Sequence, residues 1–283
     1  MRIIRAEHLG MCFGVRDAIE LAVQQAALEP LTVLGELVHN ETVLAELRAA
    51  GVRMAQQVAA VETGTVMITA HGASERALGR VRERGLRLME ATCPLVHLAH
   101  RIVAKLARAG YHPVIVGKRE HVEVRGLTED LADFDVVLTE ADVSELRARA
   151  RFGVAAQTTQ PIERVRELVA AIRRRFPASE VRFIDTVCQP TKQRQNSAIE
   201  LAQQADVVVV IGGARSNNTR ELADTCRVHC ARVYQVQAAA DLRAEWLDGA
   251  RLVGLTAGTS TPDRIIGDVE ARLKQIAGSR LAA

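Results

Sequence analysis

Short apolar runs alternate along the chain with longer stretches whose apolar residues recur every three or four positions. The runs "LTVLGE" (31–36), "GTVMITA" (64–70), "HPVIVG" (112–117), "FGVAAQ" (152–157), "VRFID" (181–185), "DVVVVIGG" (206–213) and "RLVGLTAG" (251–258) are largely unbroken by polar residues. That is the pattern of strands buried on both faces of a parallel sheet. The stretches "RDAIELAVQQAAL", "TVLAELRAAG", "LAHRIVAKLARAG", "PIERVRELVAAIRRRF", "SAIELAQQA" and "TRELADTCRVH" carry the helical period. Strand and helix alternate, which predicts an α/β fold with right-handed crossovers. "HVEVRG" (121–126) reads as extended, which would turn His121 and Glu123 to the same side.

The pattern repeats three times. In each third a cysteine opens a helix, and the next strand ends in a polar loop: "GELVHN" (35–40), "GKREH" (117–121) and "GGARSNN" (212–218). A second strand then ends in "TAHGAS" (69–74), "AAQTTQ" (155–160) or "TAGTST" (256–261). Cys12 to His39 spans 27 residues, Cys93 to His121 spans 28, and Cys188 to Ser216 spans 28. From the same cysteines to His71, Gln157 and Gly258 the offsets are 59, 64 and 70. A period this long predicts three related α/β lobes rather than a solenoid. Their expected bounds are 12–93, 94–188 and 189–270, with a strand in 1–11 joining the third lobe and a tail at 271–283. Ligands of open α/β sheets bind beyond the carboxyl ends of the strands, where all these loops lie. Pseudo-threefold packing of the lobes would bring the loops and the three cysteines to one central cavity.

Composition narrows the chemistry. The 283 residues are 48% hydrophobic, carry a formal charge of +3 and contain 3% aromatics. Neither a basic footprint nor a stacking platform for nucleic acid is present. No apolar run reaches transmembrane length, and "MRIIRAEHLG" has no apolar signal core or cleavage site, so neither membrane span nor signal peptide is expected. Five cysteines without a secretory signal fit a reducing cytoplasm. With no heptad and no exposed apolar stripe in the pattern, a monomer is expected.

Three thiolates around one point suit an iron–sulfur cluster or zinc, and three buried free cysteines are the plain alternative. A 4Fe–4S cube held by three cysteines leaves one iron open for a substrate oxygen. Cys226 and Cys230 in "TCRVHC" lie outside the repeat positions and read as packing cysteines. The remaining loop residues suit an anion: His39, His71 and His121, with Ser216, Asn218 and Ser260, beside helix N-termini. No phosphate-binding glycine fingerprint follows any strand. Glu123 is a candidate general acid, with a surface glutamate in a charged loop as the plain alternative, and Thr158 could orient a substrate hydroxyl.

"GMCFGV", "LVHN", "TAHG", "ATCPLV", "HVEVRG", "QTT", the run at 188–195, "SNNT" at 216–219 and the run at 257–263 together resemble the LytB family of 4-hydroxy-3-methylbut-2-enyl diphosphate reductases. The resemblance covers nearly the whole chain in order. It implies a trefoil of three α/β domains and a 4Fe–4S cluster held by Cys12, Cys93 and Cys188, with one iron not bound by protein. It implies that His39, His71, His121, Ser216, Asn217, Asn218 and Ser260 bind the diphosphate. Glu123 would donate the proton and Thr158 would act on the substrate hydroxyl. The implied reaction ends the non-mevalonate isoprenoid pathway, with reduced ferredoxin or flavodoxin as electron donor. A relative acting on another small allylic diphosphate, or a non-redox 4Fe–4S dehydratase, is the alternative. Ala156, Gln193 and Asn217 depart from the usual family pattern.

Overall fold

The computed structural model describes residues 1–281. Along the chain β1 (Arg2–Arg5) and α1 (Phe13–Ala26) come first. Then follow β2 (Leu31–Leu34), α2 (Glu41–Ala49), β3 (Arg53–Ala55), β4 (Thr65–Ile68), α3 (Glu75–Glu83) and β5 (Arg87–Glu90). The middle of the chain forms α4 (Pro94–Arg108), β6 (His112–Val116), α5 (Val122–Thr128), β7 (Asp135–Val137), α6 (Glu140–Glu145), β8 (Arg151–Ala156), α7 (Ile162–Arg175) and β9 (Glu180–Phe183). The last part forms α8 (Gln189–Gln204), β10 (Val207–Ile211), α9 (Asn217–Arg227), β11 (Val233–Val236), β12 (Leu252–Ala257) and α10 (Asp263–Leu281). Residues 271–281 of the expected tail thus continue a helix, and its last two residues lie outside those described.

The described strands make three parallel four-stranded sheets, in the orders β3-β2-β4-β5, β7-β6-β8-β9 and β11-β10-β12-β1. The three orders are the same order. β1 fills in the third sheet the place that β5 and β9 fill in the other two, pairing Arg2 with Leu252 and Arg5 with Leu255. Three related α/β lobes are therefore present as sheets. By compactness the chain forms two units. The first comprises residues 1–16, 38–46 and 189–283; the second comprises 17–37 and 47–188. Residues 38–46, in the span read as the first lobe, thus pack with the third sheet.

The central strands are largely apolar because helices close both their faces. All five residues of β10 are buried, as are the last five of β8 and of β12. Two glycines show how closely the helices sit. A Cβ on Gly153 of β8 would come within 3.0 Å of Leu106 Cβ in α4, and one on Gly254 of β12 within 2.7 Å of Leu201 Cγ in α8. These are the helices that follow Cys93 and Cys188. Gly254→Ala is therefore expected to force α8 off its sheet, lowering stability by about 1–3 kcal/mol; a denaturant midpoint unchanged from the parent protein would refute this.

The sequence located the central strands. It did not locate the edge strands β3, β5, β7 and β11, or helices α3, α5, α6 and α10. "HVEVRG" needs a correction: it is helical, not extended. His121 caps α5, its Nδ1 accepting the Glu123 N–H at 3.2 Å, and Val124 and Leu127 of this helix are buried in the core. Burial of that apolar pair outweighs the β-preference of Val122 and Val124. No described helix is long and apolar enough to cross a membrane.

Candidate active site

The three repeat cysteines stand in equivalent places. Each follows the same strand of its sheet, β1, β5 or β9, and immediately precedes a helix, α1, α4 or α8. Each backbone N–H is held by a carbonyl of the second loop: Cys12 by Thr259 at 3.2 Å, Cys93 by Ala70 at 3.1 Å and Cys188 by Thr158 at 3.0 Å. Pro94 begins α4 directly after the Cys93 cap, where a missing N–H costs nothing. All three cysteines are half-buried.

Cys226 and Cys230 differ in every respect. Both are buried in the third lobe's core. The Cys230 thiol points to the Ala205 carbonyl at 3.4 Å. Burial, with neighbouring Cys230 adding to it, pushes the Cys226 thiol up to about 12. They pack, as the sequence suggests.

In the second unit Glu123 is 1% exposed, and Thr158 holds its carboxylate. The Thr158 N–H donates to Oε1 at 2.7 Å and its hydroxyl to Oε2 at 3.0 Å. These two bonds favour the ionised form, but burial is the larger effect and raises the pKa from 4.5 to about 7. A carboxyl that titrates near neutrality is suited to proton donation. The imidazoles of His71 and His121 meet edge to face with centroids 5.4 Å apart. Thr69 steadies His71, its hydroxyl lying 3.3 Å from Nδ1. His71, His121, Glu123 and Thr158 thus come from three strand-end segments of two sheets, those after β4, β6 and β8.

In the first unit Ser216 caps α9, its hydroxyl accepting the Thr219 N–H at 3.3 Å. Asn218 Oδ1 accepts from the Thr259 N–H at 2.9 Å. Asn217 Nδ2, Thr219 Oγ1 and Ser260 Oγ are buried without a hydrogen-bond partner among the described residues. Such groups are costly to bury unpaired, so their clustering at one helix start marks a place built for a ligand. His39 lies in the same unit. A Cβ on Gly213 would fall 2.1 Å from the His39 carbonyl, so only glycine admits this approach. Asn40 fixes the segment: its Nδ2 donates to the Ser260 carbonyl at 3.0 Å, and its Oδ1 accepts from Thr42 at 3.1 Å. Asn40 and Thr219 were not among the predicted site residues. The helix-capping pattern of "HNET" pointed to Asn40; nothing local pointed to Thr219 as a buried hydroxyl.

Two of the three departures lie elsewhere. Ala156 is buried in a lobe core, and Gln193 is exposed on α8. Asn217 does belong to the loop with the unpartnered groups.

These features describe an α/β enzyme: the second unit holds a buried acid near neutrality and a pair of imidazoles, the first holds unpaired donors at a helix start, and in both a half-buried cysteine heads a helix. The chain belongs to the LytB family, whose model, described as "LytB protein", matches residues 3–274. A 4-hydroxy-3-methylbut-2-enyl diphosphate reductase of Trichlorobacter lovleyi is 37% identical over 99% of this chain and 100% of its own. One of Aquifex aeolicus is 37% identical over 99% of each. A solved structure of such a reductase, described as the terminal enzyme of the non-mevalonate pathway, is 37% identical with a TM-score of 0.69, over 96% of this chain and 99% of that one. The structure of the E-1-hydroxy-2-methyl-but-2-enyl-4-diphosphate reductase from Plasmodium falciparum is 25% identical with a TM-score of 0.90, over 96% and 87%.

Proposed function

We propose that this chain reduces 4-hydroxy-3-methylbut-2-enyl diphosphate to isopentenyl and dimethylallyl diphosphate, using a 4Fe–4S cluster held by Cys12, Cys93 and Cys188. The lobes would divide after Cys93 and Cys188. The observation that carries the reading is the buried Glu123 carboxyl, raised to about 7 and fixed by Thr158. The donor set fits a cluster: three half-buried cysteines in equivalent places, while the two packing cysteines are buried. When bound, the cluster would pass on the donor's electrons one at a time and supply an open iron as a Lewis acid.

The chain's own residues would do the rest. His39, His71, His121, Ser216, Asn217, Asn218 and Ser260 would hold the diphosphate, the buried unpaired Asn217 Nδ2 and Ser260 Oγ finding their partners there. Binding energy at that remote group fixes the reacting carbon. Thr158 would orient the substrate hydroxyl. Glu123 would give a proton to that oxygen as the C–O bond breaks, so it leaves as water. Two electrons and a second proton then complete the five-carbon product. Reduced ferredoxin or flavodoxin would supply the electrons, and a monomer in the cytoplasm would suffice.

The test is anaerobic turnover. Protein purified without oxygen and reduced with a viologen dye should oxidise the dye when the substrate is added, and both five-carbon diphosphates should appear. Turnover without reductant would favour a dehydratase instead. Cluster-loaded protein that leaves the substrate untouched would overturn the assignment.

A further inference from the structure

The start of α3 has four backbone N–H groups with no partner inside the helix. Ser74 takes one, its Oγ accepting from Ala77 at 3.0 Å. Two others are taken from a distant part of the chain. Asp130 Oδ2 accepts from the Glu75 N–H at 2.7 Å, and its Oδ1 accepts from the Arg76 N–H at 3.1 Å. Neighbouring Glu129 adds two more ties. Its carboxylate accepts from the Ser74 hydroxyl and from Arg80 Nη2, the latter at 2.8 Å. Glu129 and Asp130 directly follow α5, and all these groups lie in the second unit.

Each helix has a site residue just ahead of it. His71 lies four residues before α3, on the turn closed by the Gly72 N–H to the Thr69 carbonyl at 3.1 Å. His121 caps α5 and Glu123 lies in its first turn. A seven-residue helix is about 10 Å long, so the Glu129–Asp130 ties and the acid stand at opposite ends of one short rod. Between the two segments sits His100 of α4. A Cβ on Gly72 would fall 3.2 Å from its Nε2, and one on Gly126 would fall 3.5 Å from its Cε1. Burial, followed by the neighbouring His97, lowers its pKa against the opposing pull of Asp130 and Glu75. The ring is thus a neutral spacer at pH 7.

We propose that Glu129 and Asp130 form a clamp that sets the His71 loop in register with His121 and Glu123, which makes Asp130 a positioning residue for the diphosphate. The inference rests on the reading of His71 as a diphosphate ligand. The clamp's contacts are solvent-exposed, and exposed charged contacts contribute little to stability. Their geometry is what distinguishes them: one carboxylate spans two successive N–H groups at the positive end of a helix, fixing direction as well as distance. Surface carboxylates placed for solubility alone would not point both oxygens at one helix end.

The experiment is a double-mutant cycle on the reduced, cluster-loaded protein: parent, Asp130→Asn, His71→Ala and both together. Asparagine keeps one acceptor and loses the other, so the helix keeps part of its cap. Asp130→Asn is expected to raise KM, and the Kd for inorganic pyrophosphate by calorimetry, about tenfold, with kcat changed less than about twofold. In the His71→Ala background the same substitution should change neither. Equal effects in both backgrounds, or a fall in kcat with KM unmoved, would overturn the clamp. If Asp130→Asn does not fold, Glu129→Gln takes its place in the cycle. If the parent protein neither turns over substrate nor binds pyrophosphate, the reading of the site fails, and the clamp is judged on imidazole nitrogen resonances. A shift of the His71 signals in Asp130→Asn at unchanged Tm then supports it, and unmoved signals refute it.

Discussion

Glu123→Gln is expected to lower turnover by about 10²-fold or more, as loss of a general acid does, while the visible absorbance of the proposed cluster stays. The amide keeps the shape of the side chain and can still accept from Thr158, whose N–H and hydroxyl hold the carboxylate at 2.7 and 3.0 Å. What it lacks is a transferable proton. Anaerobic dye oxidation measures the rate, and the absorbance spectrum reports the cluster in the same sample. Near-normal turnover would remove Glu123 as the donor. The same substitution has a signature in stability. Burial raises the folded pKa from 4.5 to about 7, so the folded protein binds this proton more tightly than the unfolded chain does. Stability from the group is complete below pH 4.5 and is lost as pH rises through 7, by up to about 3 kcal/mol. Denaturant titrations across that window should show the slope in the parent protein and lose it in Glu123→Gln. Parent turnover should likewise decline as the pH rises past 7.

Cys93→Ser is expected to lose most of its iron and its visible absorbance, and with them essentially all turnover. Serine keeps the helix start, because the Cys93 N–H to the Ala70 carbonyl is a backbone bond and serine is a good cap. The fold should therefore survive, so loss of iron reports the ligand and not collapse. Cys226→Ala is the control. Its sulfur is buried in the third lobe's core, so the change leaves a small cavity and touches no strand-end loop. Iron content and rate should match the parent protein. Full iron in Cys93→Ser, or iron loss in Cys226→Ala, would reassign the ligands.

The sequence exposed the frame of the protein for a simple reason. A parallel strand closed on both faces must be apolar at every position, so "VVVVI" at 207–211 announces β10 without context. Edge strands lack that mark. β7 has three residues and β3 has three, too few for any period to emerge. α6 carried a legible signal in its capping box, Thr139 with Asp142, that strand-first reading passed over. The recurring distance from cysteine to polar loop was also legible, because equivalent places in equivalent sheets require equivalent chain lengths.

Residue types at the site could be read in the same way; their states could not. "HVEVRG" contains an acid two residues from a histidine whether it is extended or helical. Only the tertiary fold made it α5, buried its glutamate and raised the carboxyl to about 7. Those outcomes depend on what covers the side chain, and the cover comes from β8 and its loop, 35 residues away at Thr158. Likewise Asp130 is an ordinary charged loop residue in the sequence, and it meets α3 across a separation of 55 residues. The chain's local pattern thus determined the elements and the kinds of chemistry available. Desolvation and long-range hydrogen bonding, which no local pattern encodes, decided which groups are acids, which are anchors and which merely pack.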